Sequence, residues 1–305
     1  MIKYLKHSQI NKSRWDECIH NSFNKNIYAN SWFLDIVNKD WEALIEDDYK
    51  TVMPFTWNKK YGINYLYQPF FTQQLGIYST KKDLSKAKVS EFLSAIPSQY
   101  RFIEINLNID NTLSDINYEI QSGFTHLLNL NKPYEEIYKN YSDNLKRNIN
   151  KANKSGLKIE KDVSIDDLIR LFRKNKGKEI DNFKDKDYAL FKKLCNAIKQ
   201  NAILNNIGIV NKGGALIAAA IFPEYLNQAV FLFSGLSDEG KELGAMPFLI
   251  NSFIKEHSGM EMILDFEGSK NPNLARFYKS FGSEERNYPQ IKRNLLPRPI
   301  KWLKK

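Results

Sequence analysis

Cysteine is scarce in this chain of 305 residues: Cys18 and Cys195 are the whole complement. That excludes a disulfide scaffold, a zinc ribbon and an iron–sulfur cluster. Histidine is also sparse, and His7, His20, His126 and His257 are scattered without metal-ligand spacing; no metal is expected. No apolar run approaches the ~18 residues of a membrane span, and the longest, Ala215–Phe222, is strand-sized. The N-terminal segment lacks the apolar core of a secretory signal. A Gly-x-Ser-x-Gly elbow, a P-loop and a dinucleotide fingerprint are all missing, and Gly213-Gly214 reads as a hairpin turn rather than the start of a helix. Neither cysteine has a histidine beside it in a nucleophile signature. The default reading is a soluble, reduced, cytoplasmic protein.

Basic charge and aromatic area are plentiful instead. Lys+Arg number 45 against 35 Asp+Glu, a formal net charge of +10, and aromatics make up 13%. A basic surface favours anionic partners such as phosphates, nucleic acid or acidic lipid headgroups, without choosing among them. Hydrophobic residues at 42% and charged residues at 26% are ordinary for a globular chain. The length fits one large domain or two medium ones, each able to bury a core.

Periodicity gives the expected elements. Helical patterns cover Lys12–Asn21, Asn30–Asn38 and Leu84–Ile96, the last stopped by Pro97. Strand-like runs are Trp41–Glu46, Thr51–Trp57, Asn64–Phe71 and Arg101–Leu107. Helices Tyr134–Tyr141, Asp143–Ser155, Ile165–Asn175 and Tyr188–Leu204 follow. The second half then repeats the order of the first: strands at Ile207–Val210, Ala215–Phe222 and Gln228–Ser234, a helix at Glu242–His257, and a strand at Met260–Phe266. Leu44, Val52, Leu66 and Ile103 find counterparts ~160 residues later in Ile207, Leu216, Phe231 and Met262, which reads as an internal duplication. The expected architecture is α/β (α+β): two tandem halves, 1–128 and 129–305, each a mixed, mostly antiparallel sheet flanked by helices.

Three segments could carry chemistry. First, Lys241-x-x-Gly244-x-Met246 sits where a strand turns into an apolar helix, with Leu249-Ile250 behind it. A glycine turn before a helix presents free backbone N–H groups to an anion; a simple helix cap reads equally well. Second, Asn271-x-x-Leu274-x-x-x-Tyr278-x-x-x-Gly282 follows a strand that ends in Asp265 and Glu267. Strand alternation puts those carboxylates on one face, as general-base candidates or as turn residues. Ser269 is a candidate helix cap. Third, Lys146, Asn150 and Lys154 share a helix face with Arg147 and Lys151 alongside, while Leu145, Ile149 and Ala152 form the apolar stripe. Such a cationic face suits a pyrophosphate or an RNA backbone, or is simply solvated.

The first two spacings resemble acetyltransferases of the GNAT superfamily, with Lys241 where that family has Arg or Gln and Met246 where it has Gly or Ala. Ala275–Gly282, with Lys279 beside the aromatic pair and Phe281-Gly282 closing it, is similar to the Fem-type aminoacyl transferases, which are built from two GNAT-like halves. Leu145 to Leu157 resembles their basic helix, and Gln68-Pro69-Phe70-Phe71 leading to Leu75-Gly76 is similar to a loop they place beside the acceptor. The resemblance implies N-acyl transfer from acyl-CoA, acetyl-CoA among them, or from aminoacyl-tRNA, to an amine such as one on a cell-wall or glycan precursor. It implies that Tyr278 protonates the leaving group. It assigns donor binding to Lys241, Gly244, Ala245, Met246 and Asn271. Phosphates fall to Lys146, Arg147, Lys151 and Lys279, and the acceptor to Gln68, Phe70, Phe71 and Gln73. The expected partners are therefore an anionic, phosphate-bearing donor or acceptor, tRNA included. A non-catalytic binder of a phosphorylated precursor or RNA on a degenerate fold is the competing expectation, because the first half lacks a turn like that at Gly244.

Overall fold

The computed structural model describes residues 1–81, 84–113, 117–175, 183–268 and 271–297. In chain order its elements are β1 (Ile2–Leu5), α1 (Lys12–Asn21), α2 (Ser31–Val37), β2 (Glu42–Glu46), β3 (Thr51–Phe55), β4 (Trp57–Lys60), β5 (Ile63–Tyr67), β6 (Tyr78–Ser79), α3 (Lys86–Ser94), β7 (Tyr100–Asn106) and β8 (Glu119–Asn129). They continue with α4 (Tyr134–Lys139), α5 (Asp143–Lys154), β9 (Lys158–Lys161), α6 (Ile165–Asn175), α7 (Asp185–Asn201), β10 (Ile203–Val210), β11 (Leu216–Tyr225), β12 (Gln228–Val230), β13 (Phe233–Leu236), α8 (Asp238–Leu243), α9 (Ala245–His257), β14 (Ile263–Asp265), α10 (Pro272–Lys279) and β15 (Glu284–Asn294). The chain divides into two compact units, Phe124–Arg286 being the second and the remainder the first.

In the first unit β1, β2, β3 and β6 pair in that order, all antiparallel. Beside them β4 pairs antiparallel with β5, and β5 runs parallel to β7. Parallel neighbours need a crossover, and α3 supplies it. The Ser85 hydroxyl caps α3 by accepting the Lys88 N–H at 3.2 Å. Val89, Phe92 and Leu93 turn its apolar stripe onto Leu66, Ile103 and Ile105.

The second unit repeats this plan. Antiparallel β10 and β11 are followed by parallel β12 and β14, with α9 as the crossover. Phe253 of α9 stacks on Phe222 of β11 with ring centroids 4.1 Å apart. Leu249, Ile250 and Ile254 complete the buried face with Ile209, Ala218 and Leu264. The duplicated order is thus an antiparallel pair followed by a parallel pair enclosing a helix, and the architecture is the expected mixed α/β one.

The division into units falls inside β8, between Gly123 and Phe124, and the chain from Asn287 onward returns to the first unit. The cause is pairing: Gln290–Asn294 of β15 lie against Asn106–Phe102 of β7. Other boundaries also differ from the expected ones. The helix expected over 242–257 is two helices, because Gly244 has φ +73 and ends α8 before α9 begins. The run 228–234 breaks after Val230, and β13 pairs with β11 instead. Strands β8, β9 and β15 were not expected: β9 is exposed throughout, most of β15 is polar, and the first four residues of β8 are exposed although its second half is apolar. Among the described residues no helix is long and apolar enough to cross a membrane.

Candidate active site

In the second unit β14 lies between β12 and β8, and ends at Asp265, opposite Leu127 and Val230. The chain then leaves the strand: Glu267 has φ +55. Alternation therefore does not relate the two carboxylates; the backbone of Glu267 instead turns back onto the Asp265 side chain. The Glu267 N–H donates to Asp265 Oδ1 at 2.8 Å, and the Thr125 hydroxyl donates to the same oxygen. Gly268 is demanded by close approach, since a Cβ there would stand 1.3 Å from the Phe124 carbonyl oxygen. Burial pushes the Asp265 carboxyl up to about 6, and the two donors only partly offset this.

Tyr278 projects from α10, whose first turn is capped by the Asn271 side chain accepting the Asn273 N–H at 2.9 Å. Asn271 is thus spent, at least in part, on the helix start. Ser269, the other candidate cap, lies outside the described residues. The Tyr278 ring stacks on Phe266, centroids 5.2 Å apart and planes at 24°, and is 8% exposed. Its hydroxyl has no hydrogen-bond partner among the described residues. Burial raises the phenol above its ordinary value, and the charges of Glu267 and Asp265 add to that. Near the end of β14 there are thus a carboxyl pushed up to about 6 and a phenol that stays protonated.

Two residues of β8 that no sequence signal marked complete this wall. Thr125 holds Asp265, and His126 lies 5.7 Å from the Tyr278 ring, centroid to centroid. They arrive by strand pairing, which leaves no short-range spacing to read. Lys279, the neighbour of Tyr278, is engaged by Glu285: its Nζ is 2.9 Å from Glu285 Oε2.

The turn at Gly244 is closed rather than open. A Cβ on Gly244 would sit 2.7 Å from the Asn148 carbonyl oxygen of α5, so close helix packing and the positive φ both require glycine. Ala245 and Met246 are buried in the core, so the Met246 side chain does not crowd the turn's outer face. Lys241 is exposed beside it. The crossing places α5 against α8 and α9. Arg147 and Lys151 of α5 are exposed, whereas Lys146 is partly buried, 3.1 Å from the Lys139 carbonyl and over the Tyr138 ring.

In the first unit the loop after β5 is pinned by amides. Gln68 accepts the Asn106 N–H at 3.0 Å and donates to the Thr72 carbonyl at 2.9 Å. Asn106 in turn donates to the Gln73 carbonyl at 2.7 Å and accepts from Gln290 at 3.0 Å. Both ends of the Gln68 amide hold the loop; Phe70 is 44% exposed at its tip, and Phe71 follows with φ +62.

The fold is shared with several solved structures, and part of the chain matches a family model. Residues 109–207 match the model of the FemAB family. The structure of FemX is similar to this chain with a TM-score of 0.67 at 12% identity, covering 98% of this chain and 99% of that one. L-PGS from Bacillus licheniformis follows at 0.56 and 13%, covering 95% and 94%. The C-terminal domain of a putative lysylphosphatidylglycerol synthetase from Agrobacterium fabrum also gives 0.56, at 9% identity, covering 96% and 94%. No curated protein matches the sequence.

Proposed function

We propose that this chain is an aminoacyl transferase that moves an aminoacyl group from the ester of an aminoacyl-tRNA to an amine. The observation that carries the reading is that a Tyr278 phenol packed on the Phe266 ring and held protonated feels the charges of Glu267 and of Asp265, itself pushed up to about 6 by burial. Environments that push two titratable groups apart assign a base and an acid. The neutral amine attacks the ester carbonyl, and a C–N bond forms as the C–O bond breaks. The amine's proton passes to the Asp265 carboxylate, and the Tyr278 hydroxyl protonates the departing alkoxide. Solvent exchange then restores both groups. Lys241, Arg147 and Lys151, grouped by the crossing of α5 with the α8–α9 turn, meet the carrier's phosphates.

The closed turn at Gly244 favours tRNA over coenzyme A as the carrier. Its Gly244 Cα packs against the Asn148 carbonyl oxygen of α5. The names of the similar structures, FemX and lysylphosphatidylglycerol synthetase, support aminoacyl chemistry on this fold.

Hydroxylamine, a small neutral amine, substitutes for the unidentified acceptor in the test. The full chain is incubated with a mixture of radiolabelled aminoacyl-tRNAs or with acetyl-coenzyme A, and hydroxamate release is measured above the uncatalysed rate. Faster release from aminoacyl-tRNA alone is expected. Faster release from acetyl-coenzyme A alone makes the chain a coenzyme A acyltransferase. No acceleration from either, with tRNA still bound, favours the non-catalytic binder.

A further inference from the structure

His126 keeps a polar ring where an apolar one would fit. It is 0% exposed, yet among the described residues neither Nδ1 nor Nε2 makes a well-formed hydrogen bond, the Glu267 backbone being the least of the influences on the ring. A buried unpaired polar atom costs about 1–3 kcal/mol, and a phenylalanine would fill the space without that cost. Rules broken in this way concentrate at working sites. The surroundings of the ring point to the work. Glu285 Oε2 lies 3.6 Å from Nε2, and the same oxygen is held by Lys279 Nζ at 2.9 Å. On the other side stands the Tyr278 ring, 5.7 Å away between centroids.

We infer that His126 is a positioning residue of the Tyr278 site: its neutral imidazole, steered by the Lys279–Glu285 ion pair, fixes the Tyr278 ring, and its protonation undoes that arrangement. The inference rests on reading Tyr278 as the proton donor of the transferase. At 3.6 Å a small side-chain rotation brings Glu285 to hydrogen-bonding distance from Nε2–H, which fixes the tautomer and leaves Nδ1 as an acceptor. The charged and titratable groups that bear on His126 and Tyr278 are Glu285 of β15, Lys279 and Tyr278 itself of α10, and Asp265 and Glu267 at the end of β14. Burial and the Lys279 charge hold the imidazole below its ordinary range, while Glu285 and the Glu267 backbone oppose them. The neutral form therefore prevails at neutral pH. An imidazolium would place a cation beside a phenol that Asp265 and Glu267 keep protonated, and would draw Glu285 away from Lys279.

The test is an NMR titration of the full chain labelled with 13C in histidine and tyrosine. The four histidines give few enough signals for His126 to be assigned by its loss in His126→Phe, or in His126→Gln should the first variant not fold. Tyr278 is assigned through Tyr278→Phe. We expect a His126 midpoint below 6.5 in the wild type, moved down in Glu285→Gln and up in Lys279→Met, each by about one pH unit. The Tyr278 resonance should follow the same midpoint, and His126→Phe should melt no lower than the wild type. A His126 midpoint indifferent to both charge variants overturns the inference. So does a Tyr278 resonance that stays flat through it, or a large loss of stability in His126→Phe. These readouts need no turnover, so failure of the transferase reading, seen as absent hydroxamate release, is separable from failure here.

Discussion

Asp265 carries a cost that a purely structural carboxylate would avoid. Its folded pKa is about 6 against an ordinary 3.8. Below pH ~4 the carboxyl is protonated whether the chain is folded or not, and it is neutral to stability. As pH rises from there the unfolded chain releases its proton first, so stability falls until the folded group also ionises near 6, and the deficit is constant above that. An asparagine keeps an oxygen to accept from Thr125 and from the Glu267 N–H but removes the charge. Asp265→Asn should therefore stabilise the fold by ~1–3 kcal/mol at neutral pH and by nothing below pH ~4. Denaturant melts of both proteins across that range check it, and equal stability at neutral pH would contradict the buried-charge account. At this scale Tyr278, Asp265 and Glu267 could be picked out of the sequence as candidates because each follows an apolar strand or sits at a fixed helical offset. Thr125 and His126 were not, since they reach the site only through the pairing of β8 with β14.

Elements with an apolar period were legible and those without one were not. The Leu145, Ile149 and Ala152 stripe of α5 is buried as its spacing demands, and α6 spans the expected Ile165–Asn175. By contrast β9 reads Lys-Ile-Glu-Lys and β15 is mostly polar, so backbone pairing rather than side-chain pattern defines them. The break between α8 and α9 is a third case. The sequence shows a glycine within a helical pattern, but the reason for it, the Asn148 carbonyl of α5, comes from elsewhere in the chain. Gly244→Ala combines a disfavoured positive φ with a 2.7 Å clash, and should cost ~2–4 kcal/mol. A thermal melt showing no loss would mean that α5 and α9 do not meet there.

At the scale of the whole molecule, a duplicated order of elements survived where side chains did not. FemX shares the fold at a TM-score of 0.67 with only 12% identity. What such divergence leaves readable is the alternation of strands and crossover helices, and with it the net charge. A formal charge of +10 should make tRNA binding fall steeply with salt, since each neutralised phosphate contributes a slope of about −0.7 to −0.9 in log K against log salt. Arg147→Ala combined with Lys151→Ala should flatten that slope by about one to two. Filter binding at several salt concentrations reads it, and an unchanged slope would move the carrier off α5.

The proposed base, Asp265, and the proposed acid, Tyr278, should act as one unit, and a double-mutant cycle on hydroxamate release from aminoacyl-tRNA tests that most directly. Tyr278→Phe and Asp265→Asn, each confirmed folded by its melt, should each slow release by about 10²-fold or more, in the range of general acid–base catalysis. The double variant should be little slower than either single one, because residues that work together lose their contribution together. Wild-type rates in both single variants would contradict the assignment of the site.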